Sequence, residues 1–268
     1  MVKHLLTFFK GLIVGGTMLV PGVSGGSMAI ILGIYDRLVS SVSSFFKHKK
    51  QSIIFLALFA AGGGLGVLLF AKPLGMLIEN YHLPTMYFFI GAVAGGVPLM
   101  VKQAQIKRIS WTDPLLAVIG FGAVMALNLL PESAAYTGSG DITAWLLGII
   151  SGIIAAVALV LPGISVSFLL LVLGMYDPII KAINSLDVMF LLPIFIGLVL
   201  GIVLTTKLLE KAMTAYPRPT YMIILGFIIG SVVQVFPGLP SGWDIAVCIL
   251  TLAAGFAAIY VLSHKAPS

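Results

Sequence analysis

Two related stretches of sequence decide the fold of this chain. Residues 21–27 read PGVSGGS and residues 162–167 read PGISVS, so the same proline-glycine pair and serine recur 141 positions apart. Each stretch is followed by the pattern Gly-x-Tyr-Asp, at residues 33–36 and at residues 174–177. Proline and glycine end a helix and serine can begin another, so each stretch predicts a sharp turn between two helices.

The repetition extends through the rest of the chain. Beyond the Gly-x-Tyr-Asp pattern a shift of 135 positions relates the two halves, and it pairs Lys72 with Lys207. A fixed shift over most of the chain is the signature of an internal duplication. We therefore predict two copies of one unit, residues 1–134 and residues 135–268.

The composition excludes a soluble protein. Of the 268 residues 60% are hydrophobic and only 9% are charged, whereas soluble domains carry about 25% charged residues. One core cannot bury so much apolar surface, which also excludes a soluble enzyme and a nucleic-acid-binding module. The sequence predicts a polytopic helical membrane protein, and the net charge of +6 is interpreted as lysine and arginine that orient it in the bilayer.

Each copy contains five apolar segments, and the second is too short to cross a membrane. In copy two, Pro178 is expected to end that segment after Asp177, which leaves about ten residues, or about 15 Å, against a hydrocarbon core of about 30 Å. Joined to its predecessor by Pro-Gly, such a segment predicts a re-entrant helical hairpin that is buried in protein. The predicted hairpins are residues 5–36 and 145–177, and the predicted transmembrane helices are residues 53–78, 85–101, 115–130, 188–209, 221–236 and 245–262.

Three crossings in each copy give the two copies opposite orientations, because three is odd. With the N-terminus in the cytoplasm, 13 lysines and arginines fall on the cytoplasmic side and only Lys72 and Lys181 fall outside, in agreement with the positive-inside rule. The predicted fold class is an all-α polytopic membrane protein with two inverted-topology repeats. Each repeat has a re-entrant helical hairpin plus three transmembrane helices, and both termini are cytoplasmic.

The serines and glycines at the two turns are the first candidates for a binding site. Glycines remove Cβ atoms, so a ligand can approach the backbone, and the start of a helix offers N–H groups to an anion. Broken helices with such ends form the sites of many transporters. The alternative is that these residues only make turns and pack helices. The candidates are Ser24, Gly25, Gly26 and Ser27 in copy one, and Ser165 and Ser167 in copy two.

Charged residues near the apolar segments are the second group of candidates, because charge is costly in lipid. Arg37, Lys72 and Lys207 are expected to compensate an anionic head group, and the alternative for the lysines is extension to the membrane surface. Asp36 and Asp177 are expected to act in gating or proton coupling, and the alternative is a polar stop. The four histidines are scattered, so neither a metal nor another cofactor is expected.

These residues carry a resemblance to a known family. The run from Pro21 to Ala29, followed by the run from Leu32 to Leu38, resembles the signature of the bacterial polyprenyl-phosphate transporter family. The resemblance covers essentially the whole chain. It implies a flippase in the bacterial cell membrane that returns undecaprenyl phosphate, a lipid carrier of cell-envelope precursors, to the cytoplasmic leaflet. The implied partner is therefore a polyprenyl phosphate lipid.

Two other functions remain as alternatives. Undecaprenyl-diphosphate phosphatases have similar hairpins with a Pro-Gly-x-Ser-Arg-Ser pattern, but here Gly25 and Val166 occupy the arginine positions. The apolar segments also lack a close pair of glutamates, so phosphoester cleavage would lack charge stabilisation and proton transfer. No catalytic residue and no enzymatic activity are therefore expected. A carrier of small anions, or one coupled to an ion, is the other alternative.

Overall fold

The computed structural model describes residues 2–18, 24–106, 110–129, 142–234 and 236–265. Within these ranges the chain is all-helical and contains no strand. The helices of copy one are α1 Val2–Thr17, α2 Gly25–Ile31, α3 Tyr35–Ser43, α4 Lys49–Asn80, α5 His82–Gln103 and α6 Thr112–Asn128. The helices of copy two are α7 Ile142–Val160, α8 Val166–Val172, α9 Tyr176–Asn184, α10 Val188–Ala215, α11 Pro217–Gln234 and α12 Asp244–Lys265.

The order of the helices repeats between the two halves of the chain, and the short helices have equal lengths. The short helices α2 and α8 have seven residues each, and α3 and α9 have nine each. The helix pairing repeats as well, since α1 packs along α4 just as α7 packs along α10. The remaining long helices pair across the copies, α5 with α12 and α11 with α6. Each copy is thus completed by a helix of the other.

Glycines allow the long helices to pack closely. A Cβ atom on Gly15 of α1 would overlap the carbonyl oxygen of Gly63 on α4, and one on Gly197 of α10 would overlap that of Ile149 on α7. Small residues at such positions let two backbones approach each other, which is how helices associate in a bilayer. Gly62 on α4 has the same role, because its Cβ would overlap the carbonyl oxygen of Phe8 on α1.

The chain is a helical membrane protein. Among the described residues, α4, α5, α10 and the stretch Asp244–Leu262 of α12 are long and apolar enough to cross a membrane. Their outward side chains are apolar, for example Leu68 and Leu208, which are strongly exposed in the isolated chain and are suited to lipid contact. The predicted crossings at α6 and α11 do not reach the same combination of length and hydropathy.

The second short segment of each copy ends earlier than predicted. Helix α2 ends at Ile31 and α8 ends at Val172. Each is followed by a glycine in the left-handed region, Gly33 with φ of 63° and Gly174 with φ of 64°. The amide after each glycine donates to the carbonyl five residues earlier, at 2.9 Å for Ile34 and 2.8 Å for Met175. This hydrogen bond is typical of a Schellman helix end, so the glycine sets the boundary in both copies.

The prediction that Pro178 ends this segment is wrong. Pro178 lies in the first turn of α9, which begins at Tyr176. Proline is well tolerated in a first turn, because the N–H group that it lacks has no partner within the helix there. Asp36 and Asp177 likewise lie in the first turns of α3 and α9, where a negative charge is favoured by the helix dipole.

Candidate functional site

The start of α2 and the turn between α7 and α8 meet inside the bundle. The amide of Gly163, in the turn between α7 and α8, donates a hydrogen bond of 2.9 Å to Ser24 Oγ at the start of α2. Ser24 Oγ also accepts from the Ser27 amide at 3.1 Å and lies 2.8 Å from Ser27 Oγ. The prediction that a serine begins this helix is confirmed for Ser24, which is the N-cap of α2. We call Ser24, Gly26, Ser27, Pro162 and Gly163 the polar junction.

Close backbone contact explains the glycines of the polar junction. A Cβ atom on Gly26 would lie 3.2 Å from Pro162 Cα, which is tighter than ordinary van der Waals contact. Gly163 has φ of 82°, and its Cβ would overlap the carbonyl oxygen of Phe227. Pro162 therefore lies directly beside Gly26. The neighbouring Gly25 faces the flexible Met18 side chain, with Sδ 2.8 Å from its Cβ position.

The candidate serines differ in their exposure. Ser27 is 2% exposed, Ser24 is half-buried, and Ser165 is exposed. The side chain of Ser167 and residues 21–23 of the first motif lie outside the described part of the chain. Of the candidate serine side chains that the structure describes, Ser165 is thus the most accessible to a ligand.

A buried tyrosine ties the first turn region to copy two. Tyr35 Oη, at the start of α3, donates a hydrogen bond of 2.6 Å to the carbonyl of Val160 at the end of α7. Helix α2 lies between these elements, and Met28, Ala29, Ile30 and Ile31 belong to the hydrophobic core. The polar junction is therefore held from both sides, by α2 in copy one and by the end of α7 in copy two.

Further polar contacts join α3 to helices of copy two. Tyr221 Oη on α11 donates to Asp36 Oδ1 at 2.6 Å, and Ser43 Oγ donates to Glu210 Oε2 on α10. The candidate Arg37 lies with its Cζ 4.3 Å from the centre of the Phe55 ring, a cation–π contact with α4. The sequence pattern singled out Asp36 and Arg37, but nothing local in the sequence indicates their partners.

An ion pair between α11 and α6 is the polar contact that sequence reasoning missed most clearly. Arg218 Nε and Nη2 each donate to a carboxylate oxygen of Asp113 at 2.7 Å, and the Ser110 amide donates at 2.8 Å. Asp113 is buried, and the Arg218 hydrogen bonds lower the pKa of its carboxyl to about 2. An acidic residue in the first turn of an apolar helix was the available signal.

We expect Asp113→Asn to lower the melting temperature of the detergent-purified protein. The substitution removes the negative charge of a bidentate ion pair, so Arg218 loses its carboxylate partner at position 113. The depressed pKa stabilises the fold above the ordinary carboxyl pKa of 3.8, and this contribution is lost as pH falls toward about 2. The decrease in melting temperature caused by Asp113→Asn should therefore be constant from pH 8 to about pH 5. Melting curves across that range measure it, and Asp244→Asn, at an exposed acid in the first turn of α12, is the control. Equal effects of both variants would contradict the role of the pair.

The structure does not bring the candidate lysines to the polar junction. Lys72 on α4 and Lys207 on α10 are both exposed, and neither forms an ion pair with a carboxylate of the described residues. Asp177 is exposed at the start of α9. The described residues contain no group of histidine, cysteine and acidic side chains suited to a metal ion.

An all-helical membrane protein in which the start of a short helix meets a helix-breaking turn has the organisation of a membrane carrier. The chain belongs to the family described as Undecaprenyl phosphate translocase-like, whose model matches residues 14–243. It is 32% identical over 261 residues to the polyprenyl-phosphate transporter of Staphylococcus aureus, with 92% of each chain covered. It is 30% identical over 252 residues to the polyprenyl-phosphate transporter of Vibrio cholerae, covering 88% of this chain and 79% of that one.

Both relatives are named as transporters, which agrees with the prediction that the chain is not an enzyme. The resemblance to the polyprenyl-phosphate transporter family is confirmed. No solved structure gives a significant match to the chain.

Proposed function

We propose that the chain carries a polyprenyl phosphate across the bacterial cell membrane, and that it returns undecaprenyl phosphate to the cytoplasmic leaflet. The observation that carries the proposal is the polar junction, in which Ser24 of copy one binds Gly163 of copy two. The relatives named as polyprenyl-phosphate transporters support the substrate class. A lipid phosphate needs a polar path for its head group and an opening to lipid for its tail, and a junction of two turns between helices suits both.

We further propose that the copies are inverted repeats and that α1–α2 and α7–α8 are re-entrant hairpins. The equal lengths of the short helices and the cross-paired helices α5 with α12 and α11 with α6 support a two-fold arrangement. Trp111 and Trp243, which precede α6 and α12, are both strongly exposed. Tryptophan prefers the membrane–water boundary, so an inverted arrangement would place one of them at each face and both termini in the cytoplasm.

The phosphate is proposed to pass the polar junction at Ser165, the exposed serine of the second turn, with Ser24, Ser27 and Ser167 and the backbone at Gly25 and Gly26 beside it. An unpaired anion at that depth is expensive. Arg37, Lys72 and Lys207 are proposed to hold the head group before and after it passes the junction. Asp36 and Asp177, in the first turns of α3 and α9, are proposed to act in gating or proton coupling.

Reconstitution into vesicles that contain undecaprenyl phosphate tests this function. We expect the protein to speed the exchange of lipid phosphate between leaflets, scored by a membrane-impermeant reagent that modifies only exposed phosphate. Release of inorganic phosphate from the diphosphate lipid would favour the phosphatase alternative. Movement of a water-soluble anion without an effect on the lipid would favour the small-anion carrier.

Alanine substitution of each candidate cation tests at which membrane face that residue acts. Each charged hydrogen bond that is lost costs about 1.5–3 kcal/mol, or roughly tenfold or more in rate. We expect Lys72→Ala and Lys207→Ala to slow transport when the lipid is supplied from opposite leaflets, because the two lysines are repeat partners. Arg37→Ala should slow release of the lipid at the same membrane face that Lys207→Ala affects. Lys102→Ala, at an exposed lysine at the end of α5, is the control, and wild-type rates for all three variants would contradict these roles.

A further inference from the structure

The two copies are packed differently around their short helices. Helix α3 packs against α10 of the other copy. The repeat partners of these helices are α9 and α4, and they show no comparable packing in the part of the chain that the structure describes. Among the described residues, α3 at one end of the bundle thus packs on the long helix of the other copy, and α9 at the opposite end makes no comparable contact.

The polar contacts show the same difference. The Ser43–Glu210 hydrogen bond closes the α3 end, and the repeat shifts place Asn184 and Gly75 at the equivalent positions of the α9 end. Asn184 is exposed, and a Cβ atom on Gly75 would have no neighbour within 4 Å. The space that Glu210 fills at one end is open at the other.

Burial of the equivalent apolar residues follows this pattern. Val39 on α3 is 3% exposed, whereas its repeat partner Ile180 on α9 is 41% exposed. Ser24 is half-buried in the polar junction, whereas its partner Ser165 is exposed. Two copies of one unit therefore adopt two different states, one packed and one open, which is the asymmetry that a carrier needs to face one side at a time.

The charges at the open end fit an anionic head group. Lys72 lies on α4 and Lys181 on α9, and both are exposed. They are the two basic residues that the topology places outside, and they belong to the two helices that flank the open end. A bilayer-facing opening between these helices would offer two cations to a phosphate and an apolar wall to its tail.

We infer that the structure is closed at the α3 end and open at the α9 end, and that a lipid phosphate enters sideways between α4 and α9, past Lys72 and Lys181. The Asp36–Tyr221 and Ser43–Glu210 hydrogen bonds then form the gate that must open to release it. This inference rests on the proposed function, and it adds the entry site, a role for Lys181 and the side on which the described state is open.

Paired cysteines test the gate. In a Cys248→Ser background without polyprenyl phosphate, a short, thiol-cleavable crosslinker should readily join S43C to E210C. The same reagent should not join G75C to N184C. The joined S43C/E210C protein should stop transporting, and cleavage of the crosslinker should restore transport, because the α3 end must open in each cycle. Single-cysteine proteins treated in the same way are the controls. Equal crosslinking of both pairs, or undiminished transport by the joined protein, would overturn the inference.

A milder substitution tests the same gate if a cysteine pair disturbs folding. Tyr221→Phe removes only the hydroxyl that donates to Asp36. A soluble maleimide should then label a single E210C faster than it does without the substitution, because the α3 end is loosened. Labelling of a single N184C, at the α9 end, should increase less. A larger increase at position 184 would contradict the gate.

Lys181→Ala tests the entry site. An exposed charge contributes only modestly to binding, so we expect uptake from the α9 side to slow about 1.4-fold to fivefold. The difference should shrink at high salt, and Lys181→Arg should restore the rate. An equal loss from both leaflets, or no loss, would exclude Lys181 from the entry site. If the wild-type protein moved no polyprenyl phosphate, the proposed function would fail and the entry site with it; if the joined S43C/E210C protein still moved the lipid, only the gate would fail.

Discussion

Valine in place of Gly26 should reduce transport by about tenfold or more while the protein remains inserted in the membrane. The first side-chain atom would lie 3.2 Å from Pro162 Cα, and the two branches of valine would press further into the second turn. Overpacking of this kind costs about 1–3 kcal/mol, and about 1.4 kcal/mol corresponds to a tenfold change. The turns would separate, and the hydrogen bond from the Gly163 amide to Ser24 would lengthen or break. Leaflet exchange of lipid phosphate measures the loss.

Gly122→Val is the matched control for this substitution. Gly122 lies on α6, and its Cβ position has no neighbour within 4 Å, so the same added volume points into open space. We expect wild-type transport from it, and melting temperatures of both variants show whether either one is simply unstable. Transport at the wild-type rate by Gly26→Val would show that contact between the turns is not needed for function.

The second large effect is expected from Gly15→Val, which should prevent stable packing of α1 on α4. Its Cβ would overlap the carbonyl oxygen and Cα of Gly63, and backbone cannot move aside as a flexible side chain can. We expect a loss of about 3 kcal/mol or more, seen as aggregated protein in size-exclusion chromatography and a lower melting temperature.

Gly64→Val provides the comparison on the same helix pair. Gly64 is adjacent to Gly63 in sequence, yet its Cβ position has no neighbour within 4 Å. It should leave a monodisperse protein, and it removes a flexible glycine from a helix interior. If the two variants behaved alike, the loss would reflect added volume anywhere in α1 and α4 rather than the close contact of their backbones.

The repeated sequence motifs made part of this fold predictable. Gly33 and Gly174, whose left-handed backbone ends α2 and α8, recur in both halves of the sequence, but the sequence prediction placed these two helix ends later in the chain. Ser24 could be identified as an N-cap because capping depends on residues three positions apart. Pro178 misled the prediction, since the same residue that blocks the interior of a helix is suited to its first turn.

The long-range polar pairs could not be predicted in the same way. Asp36 and Tyr221 are 185 positions apart, and Arg218 and Asp113 are 105 apart. The repeat partner of Tyr221 is Met86, and that of Arg218 is Leu83. Neither side chain can form the corresponding polar contact. A duplicated sequence therefore predicts what the copies share, whereas the contacts between them depend on positions at which the copies have diverged.

The pairing of α5 with α12 bears on how the protein is made. Gly91 and Gly95 on α5 face the backbone of α12 at Leu252 and Phe256, so the partner of this early helix is synthesised much later in the chain. Until α12 has been synthesised, α5 lies in the bilayer with its glycine face covered by lipid or by another protein, because contacts so distant in sequence form late. A chain that stopped before α12 would leave copy one unfinished although all of its own residues had been synthesised.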